Sequence, residues 1–281
     1  MRAHSRGTRL ERAEFDLVFV DDFAGGRLAA DRWIDHYLPH WTTAERSAAR
    51  YVLGGDGLRL LIDADQPAWR PEDGRMRVSN VQTGSFSGPR GSSVGQHRHR
   101  PDLRVRSPQP TRRLWTPSSG LVEARMRASA DPGCLLAVWL VGLEEASPQE
   151  SGEICIAELF GSAIGAKRSQ VRLGVKAHHD PRLRTEMIDL VLDLDATDEH
   201  AYAAEWDAHR VRFYVDDLLV HTVEQSTSYP LQLMLDLFEF PTSDERDVAD
   251  YPKSALLRAV RGYQKRRPRR DHVSSAAGPD R

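Results

Sequence analysis

The sequence predicts an all-β fold, a two-layer sandwich of about a dozen strands. Three observations lead there. Short alternating apolar and polar runs, bounded by Gly, Pro, Asp and Asn, recur along the chain. Helical periodicity is confined to residues 43–50, which read as one short helix. At 281 residues with 40% apolar content the chain can bury one large core, and no internal repeat divides it.

The first strand candidates are residues 17–23, 58–62, 121–128, 135–141 and 154–160. Next, Ile188, Leu190, Leu192 and Leu194 share one face, interleaved with Met187, Asp189, Val191 and Asp193, as in a half-buried strand. Val211, Phe213 and Val215 alternate with Arg210, Arg212 and Tyr214; Asp216-Asp217 then turns the chain into residues 218–223, giving a hairpin. Residues 231–240 and 256–263 close the series. The domain is expected over 15–264, after a flexible polar amino terminus over 1–14. A basic, then Ser/Ala/Gly/Pro-rich tail over 265–281 is expected to be disordered.

Composition narrows the function. Lys plus Arg number 39 against 41 Asp plus Glu, a net charge of −2 that argues for neither nucleic acid nor membrane binding. No apolar run approaches the roughly 18 residues of a membrane helix. The amino terminus lacks a signal-type apolar core, so the chain is expected in the cytoplasm, or secreted if the natural amino terminus is longer. The two cysteines, Cys134 and Cys155, form neither a CxxC nor a zinc array, so neither a disulfide scaffold nor a metal site is expected. Residues 90–113 concentrate Arg and His against the single acid Asp102. They read as a long solvated loop or as a strip for an anionic polymer or acidic sugar. Without interleaved aromatics they make no single-strand nucleic-acid platform.

The most informative segment is Gly152-Glu153-Ile154-Cys155-Ile156-Ala157-Glu158-Leu159-Phe160-Gly161, where two acids stand inside an apolar strand. Burying a charge is costly, so the feature invites a functional explanation. Strict alternation would send Glu158 into the core with Ile154 and Ile156; a β-bulge near Ala157 returns it to the face of Glu153 and sends Leu159 inward. The α-carbons then stand roughly 13 Å apart at about 3.3 Å per residue. Glutamates leaning together reach the roughly 5 to 5.5 Å separation of retaining glycosidases. The plainer alternative is that the acids pair with nearby arginines.

This segment resembles the active-site strand of family 16 glycoside hydrolases, Glu-x-Asp-x-x-Glu in its bulged form. The resemblance extends from Asp21 to Gln264. Asp21-Asp22-Phe23 resembles the opening strand, Gly120-Leu121-Val122-Glu123-Ala124-Arg125 the "YGxxEAR" strand and Ala137-Val138-Trp139-Leu140 the "AFWL" strand. His200-Ala201-Tyr202-Ala203-Ala204-Glu205-Trp206 with Val211-Arg212-Phe213-Tyr214-Val215-Asp216 is similar to "HTYAxEW…IRFYVDG", and Val260-Arg261-Gly262-Tyr263-Gln264 to the closing strand. The resemblance implies a concanavalin-like β-sandwich jelly roll with a concave glycan-binding cleft. It also implies an endo-β-glucanase-like retaining mechanism, with Glu153 as nucleophile, Glu158 as acid/base of raised pKa, and a monomer acting on a poly- or oligosaccharide. The alternative is a catalytically impaired carbohydrate-binding or regulatory protein of the same fold.

The match departs from the family pattern in four places. Cys155 takes the position of the middle aspartate, and a neutral thiol cannot reproduce a carboxylate's field; it reads as a small buried residue filling the gap. The family's "WPxxGE" platform is replaced by Pro148-Gln149-Glu150-Ser151-Gly152. Trp206, Trp139 or Trp115 are therefore the candidate sugar-stacking residues, with Trp139 equally suited to the core. His178 and His179 fall where a cleft histidine often lies, yet beside Asp180-Pro181 they read as surface residues. The family's structural calcium uses an aspartate where this chain has Arg258, so no cofactor is expected and calcium support is weak.

Overall fold

The computed structural model of the protein describes residues 8–241 and 247–266. The predicted tail thus lies outside the described residues beyond Arg266. The strands are β1 (Phe15–Asp21), β2 (Arg50–Gly54), β3 (Gly57–Ile62), β4 (Arg77–Gln82), β5 (Gly84–Ser85), β6 (Arg112–Arg113), β7 (Gly120–Arg127) and β8 (Cys134–Gly142). They continue as β9 (Glu153–Phe160), β10 (Ser169–Lys176), β11 (Glu186–Leu192), β12 (His200–Trp206), β13 (Val211–Val215), β14 (Leu218–Val223), β15 (Leu231–Glu239) and β16 (Lys253–Lys265). The predicted helix shortens to Ala44–Ser47, where the Thr43 side chain accepts a hydrogen bond from the Arg46 amide.

Two antiparallel sheets form the jelly-roll sandwich. One has eight strands in the order β14-β13-β12-β7-β16-β3-β2, with β1 also pairing with β16; the other has six, β11-β10-β9-β8-β15-β4. Their inner faces meet in the main core, where Val138, Leu140, Ile154 and Ile156 face Val122, Ala124, Tyr202 and Leu257. Apolar burial of this kind is the main stabilising term.

A second apolar cluster lies on the other face of the six-stranded sheet. Ala137, Trp139, Val141, Met234 and Phe238 pack there against Tyr37, Trp41, Trp69, Leu103 and Val105 from long connections. Residues 90–113 are therefore not simply a solvated loop: Leu103 and Val105 are buried, and the Gln96 carbonyl accepts a hydrogen bond from Trp41 Nε1 at 2.8 Å. This wall makes one side of a groove over β8, β9 and β10.

The described part of the amino terminus also differs from the flexible segment expected over 1–14. Leu10 is buried beside Phe15, Leu121 and Tyr263. Arg12 pairs with the buried Glu123 and with Asp217. The domain therefore begins before Phe15, because this short stretch covers the outer face of the eight-stranded sheet.

Candidate active site

Strand β9 carries the predicted bulge. On one side Val138 pairs with Ala157 and Trp139 with Cys155; on the other Arg172 pairs with Glu158 and Gly174 with Cys155. Ile156 is thus the extra residue. Both Ile156 and Ala157 face the core with Ile154 and Leu159. Glu153, Cys155 and Glu158 consequently share the opposite face, as two residues against one require. Gly174 has φ 145°, and a Cβ there would meet the Glu186 carbonyl oxygen at 2.1 Å. Only glycine lets β10, at the residue paired with Cys155, take this conformation so close to β11.

The glutamates converge. One carboxylate oxygen each of Glu153 and Glu158 and the Cys155 sulfur all lie within 4.8 Å of one another. Lys176, directly opposite Glu153 in the register, donates from Nζ to Glu153 Oε1 at 2.9 Å and to Glu158 Oε1 at 2.7 Å. His178 Nε2 is 2.7 Å from Glu153 Oε2. Burial alone would raise the Glu153 pKa, but the His178 hydrogen bond and the charge of Lys176 outweigh it and hold the carboxyl at about 2. Burial and the nearby Glu158 charge push the Cys155 thiol well above its ordinary range, so it stays neutral. It fills the gap between the acids, with Sγ 3.8 Å from the Arg172 carbonyl oxygen.

Around the pair stands a second set of groups. The His97 ring packs edge-on against Trp139 at 5.3 Å and His178 at 4.8 Å between centroids. Burial and the neighbouring His178 lower its pKa to about 3, so the ring is neutral. Its amide donates to Glu144 Oε1 at 2.5 Å. Burial pushes the Glu144 carboxyl up to about 8. Trp139 Nε1 donates to Asp236 Oδ2 at 2.6 Å and Asn80 Nδ2 to Asp236 Oδ1 at 2.8 Å; burial nonetheless keeps Asp236 well above the usual carboxylate range. His97, Glu144 and His178 are all in the left-handed region, with φ of 49°, 57° and 46°. Such strain in non-glycine residues gathers at functional sites.

The turn bearing His178 is tied to the start of β9. The His179 amide donates to Ser151 Oγ at 2.9 Å; Tyr229 Oη accepts from the Gly152 amide at 2.7 Å and donates to Asp180 Oδ2 at 2.8 Å. A Cβ at position 152 would stand 2.5 Å from that hydroxyl, which explains the glycine before Glu153. Two cavities flank the site. One of about 550 Å³ lies between the 86–101 and 144–149 connections and is lined by Glu144 and His179; the other, about 440 Å³, is lined by Glu158, Lys176, Arg172 and Phe160.

Residues 114–244 match the sequence model of glycosyl hydrolases family 16. The matched stretch, just under half of the chain, is similar to family 16 glycoside hydrolases. A GlcNAcα1-4Gal releasing endo-β-galactosidase from Clostridium perfringens superposes with a TM-score of 0.75 at 26% identity, over 91% of this chain and 64% of that enzyme. This chain therefore spans just under two thirds of that enzyme's length. The laminarinase from Rhodothermus marinus aligns at TM-score 0.61 and 19% identity, over 89% of this chain and 97% of that one. The laminarinase catalytic domain from Thermotoga maritima aligns at 0.56 and 16%, over 90% and 100%. These two matches support the fold alone. No curated protein sequence matches the chain.

Within this sandwich, the sequence-predicted residues separate. Glu153, Cys155 and Glu158 come together, and Trp139 lies on their face of the sheet beside Cys155 in the register. Trp206 does not: it is buried in the core between the sheets. Trp115 stacks on Phe19 at 4.7 Å between centroids, covers Gly262 and so packs, from the connection before β7, against the eight-stranded sheet rather than on the glutamate face. His178, expected at the surface, is instead a direct partner of Glu153.

Lys176, His97, Glu144 and Asp236 were not singled out from sequence. His97, Glu153 and His178 offer three donor atoms within 4.8 Å, a set that the His178–Glu153 hydrogen bond already accounts for. At the family's calcium position, Arg258 donates to the Gly55 carbonyl at 3.0 Å. A guanidinium there supplies no ligand, so this position does not fit a calcium ion.

Proposed function

We propose that the chain is a retaining glycoside hydrolase or transglycosylase acting on a β-linked glucan or galactan, with Glu153 as nucleophile and Glu158 as acid/base. The observation that carries this reading is the approach of the two carboxylates to within 4.8 Å on one face of β9. Oxygens this close suit double displacement, for which carboxyl groups stand about 5 to 5.5 Å apart, better than the wider spacing of an inverting mechanism. The likeness to an endo-β-galactosidase and to laminarinases supports the choice of substrates.

In the first step Glu153, ionised throughout the neutral range, attacks the anomeric carbon. The bond to the glycosidic oxygen breaks, and protonated Glu158 gives its proton to that oxygen. In the second step Glu158, now a carboxylate, takes a proton from water or from an acceptor hydroxyl, whose oxygen displaces Glu153. Negative charge thus passes from Glu153 to Glu158 and back. Lys176 touches both carboxylates, so its ammonium faces the charge in either location. This supplies a countercharge at a site where the middle aspartate is replaced by the neutral Cys155.

A second reading, glycan binding without turnover, is favoured by the same lysine, because the ion pairs satisfy both acids without a substrate. Incubation with β-glucans, galactans and activated aryl glycosides separates the two. The enzyme reading expects turnover that Glu153→Gln abolishes. It also expects Glu158→Ala to retain activity only on aryl glycosides whose leaving groups need no proton. Absence of turnover on the whole panel, with glycan binding that persists in Glu153→Gln, would select the binding protein.

A further inference from the structure

The larger cavity lies on the His178 side of the glutamates, and its charges do not balance. Arg100 pairs with Asp73 and Asp102, His99 with Asp73, and Glu145 with Arg113. Each of these is neutralised by a neighbour. Glu144 is held as a neutral carboxyl by its burial.

Arg98 is different. It lines the cavity, yet among the described residues its guanidinium meets no carboxylate and bonds only the Pro101 carbonyl. Its Nε is buried with no hydrogen-bond partner at all. That nitrogen is enclosed by the protein and out of a ligand's reach; what Arg98 leaves at the cavity wall is a positive charge with no countercharge beside it. The basic character of residues 90–113 thus reduces, within the cavity, to one uncompensated arginine.

Arg98 is also tied to the glutamates. It follows His97, which packs on Trp139 and on the histidine that holds Glu153. Its carbonyl oxygen lies 3.0 Å from His179 Nε2. A sugar chain lying over Glu153 and running toward Trp139 and His97 would bring a neighbouring residue into this cavity.

We propose that this cavity is a subsite for an anionic sugar residue, one bearing a carboxylate or a sulfate ester, with Arg98 as its charge partner. A guanidinium presents two parallel N–H donors that match a carboxylate or sulfate edge, which a neutral sugar cannot exploit as fully. The proposal rests on the glycan-cleft reading above, and it names the class of substrate that reading left open.

The test is calorimetric binding to the whole chain carrying Glu153→Gln, which stops turnover. Three matched ligands serve as probes: neutral β-linked galacto-oligosaccharides, the same oligosaccharides carrying a sulfate ester, and the same carrying a glucuronic acid residue. At least one charged ligand is expected to bind about tenfold more tightly than the neutral one, and the arm with the larger gain names the anion. Arg98→Gln should bring the charged ligand down to the neutral affinity, and Arg98→Lys should recover part of the gain. Arg104→Gln, which removes a guanidinium of the same segment that does not itself line the cavity but bonds the same Pro101 carbonyl as Arg98, should keep the preference. Circular dichroism of each variant excludes misfolding.

Equal binding of charged and neutral ligands overturns the proposal, as does a preference that survives Arg98→Gln or disappears equally in Arg104→Gln. The functional reading fails separately. Arg98-dependent binding of charged ligands with no turnover by the unmutated protein leaves the subsite standing and removes the enzyme; turnover of neutral glycans with no charge preference does the reverse.

Discussion

The two sheets of the sandwich share one core but differ in what covers their outer faces. In the eight-stranded sheet, exposed or half-exposed positions interrupt most strands, as in β1, β2 and β14. In the six-stranded sheet, β4, β8 and β15 are buried along their whole length. The cause is the wall of connections built around Trp41, Trp69 and Leu103, which packs on the outer face of the second sheet. Where a sheet is wet on one side its job is to hold the core. Where both sides are covered, the second cover walls the groove proposed to take a glycan, and the groups of shifted pKa, Glu153, Asp236, His97 and Glu144, gather there.

The sharpest way to break this contrast is Glu153→Gln. On the six-stranded sheet's outer face it should lower turnover by about 10⁴-fold or more while the melting temperature stays close to that of the parent. A proportionate loss of stability would make Glu153 a structural residue.

Paired tryptophan variants come next. Trp206→Ala empties a core site and should cost about 3–5 kcal/mol of stability in denaturant melts, with kcat/KM per folded molecule unchanged. Trp139→Phe removes the hydrogen bond to Asp236 and should cost about 1–3 kcal/mol, but with a clear change in KM. If Trp206→Ala changed KM and Trp139→Phe did not, the assignment of the two faces would be reversed.

The pH dependence of stability gives a smaller effect. The folded protein keeps a proton on Glu144 up to about pH 8, whereas the unfolded chain releases it near 4.5. Its contribution is therefore complete below about pH 4.5 and is lost as pH rises toward 8. Glu153 runs the other way, contributing above about pH 4.5 and losing that contribution as pH falls toward 2. His97, neutral and buried, also loses its contribution on the acid side, between about pH 6.5 and 3. Thermal melts of Glu144→Gln should therefore fall less steeply than the parent between pH 5 and 8; identical slopes would mean that Glu144 is ionised in the folded state.

The smallest effect is expected on the other sheet. Arg258→Ala, at an exposed irregularity of the interior strand β16, should change stability by no more than about 0.5 kcal/mol and leave turnover alone, as checked by the same melts and assays.

The legibility of the sequence follows the same division. The half-wet β11 and the β13–β14 hairpin announce themselves by alternation, while the fully buried β4 gives no such signal. The glutamate pair was legible because acids in an apolar strand break a pattern, and the bulge followed from the parity of Ile154, Ile156 and Leu159. Lys176 was not, because only the register of β10 against β9 brings it opposite Glu153, and no local pattern encodes that pairing. His97 sits in a basic segment with no periodicity, and the wall it joins forms through contacts far apart in sequence. Trp206 could have been placed correctly: Tyr202, Ala204 and Trp206 share one face of β12, while Glu205, hydrogen-bonded to Arg212 and Tyr214, marks the other.

The extra residue in β9 works as a reading frame. Upstream of Ile156 odd-numbered positions face the groove, and downstream of it even-numbered ones do. Inserting one further residue here would not weaken the site by degrees. It would exchange Glu158 for Leu159, drive a carboxylate into the core and expose a leucine in the groove. The register shifts against both neighbouring strands at this same point, so the pairing already accommodates one extra residue in β9. Sequence drift along this strand is thereby restricted to exchanges that keep its length, and a cysteine in place of an aspartate is such an exchange.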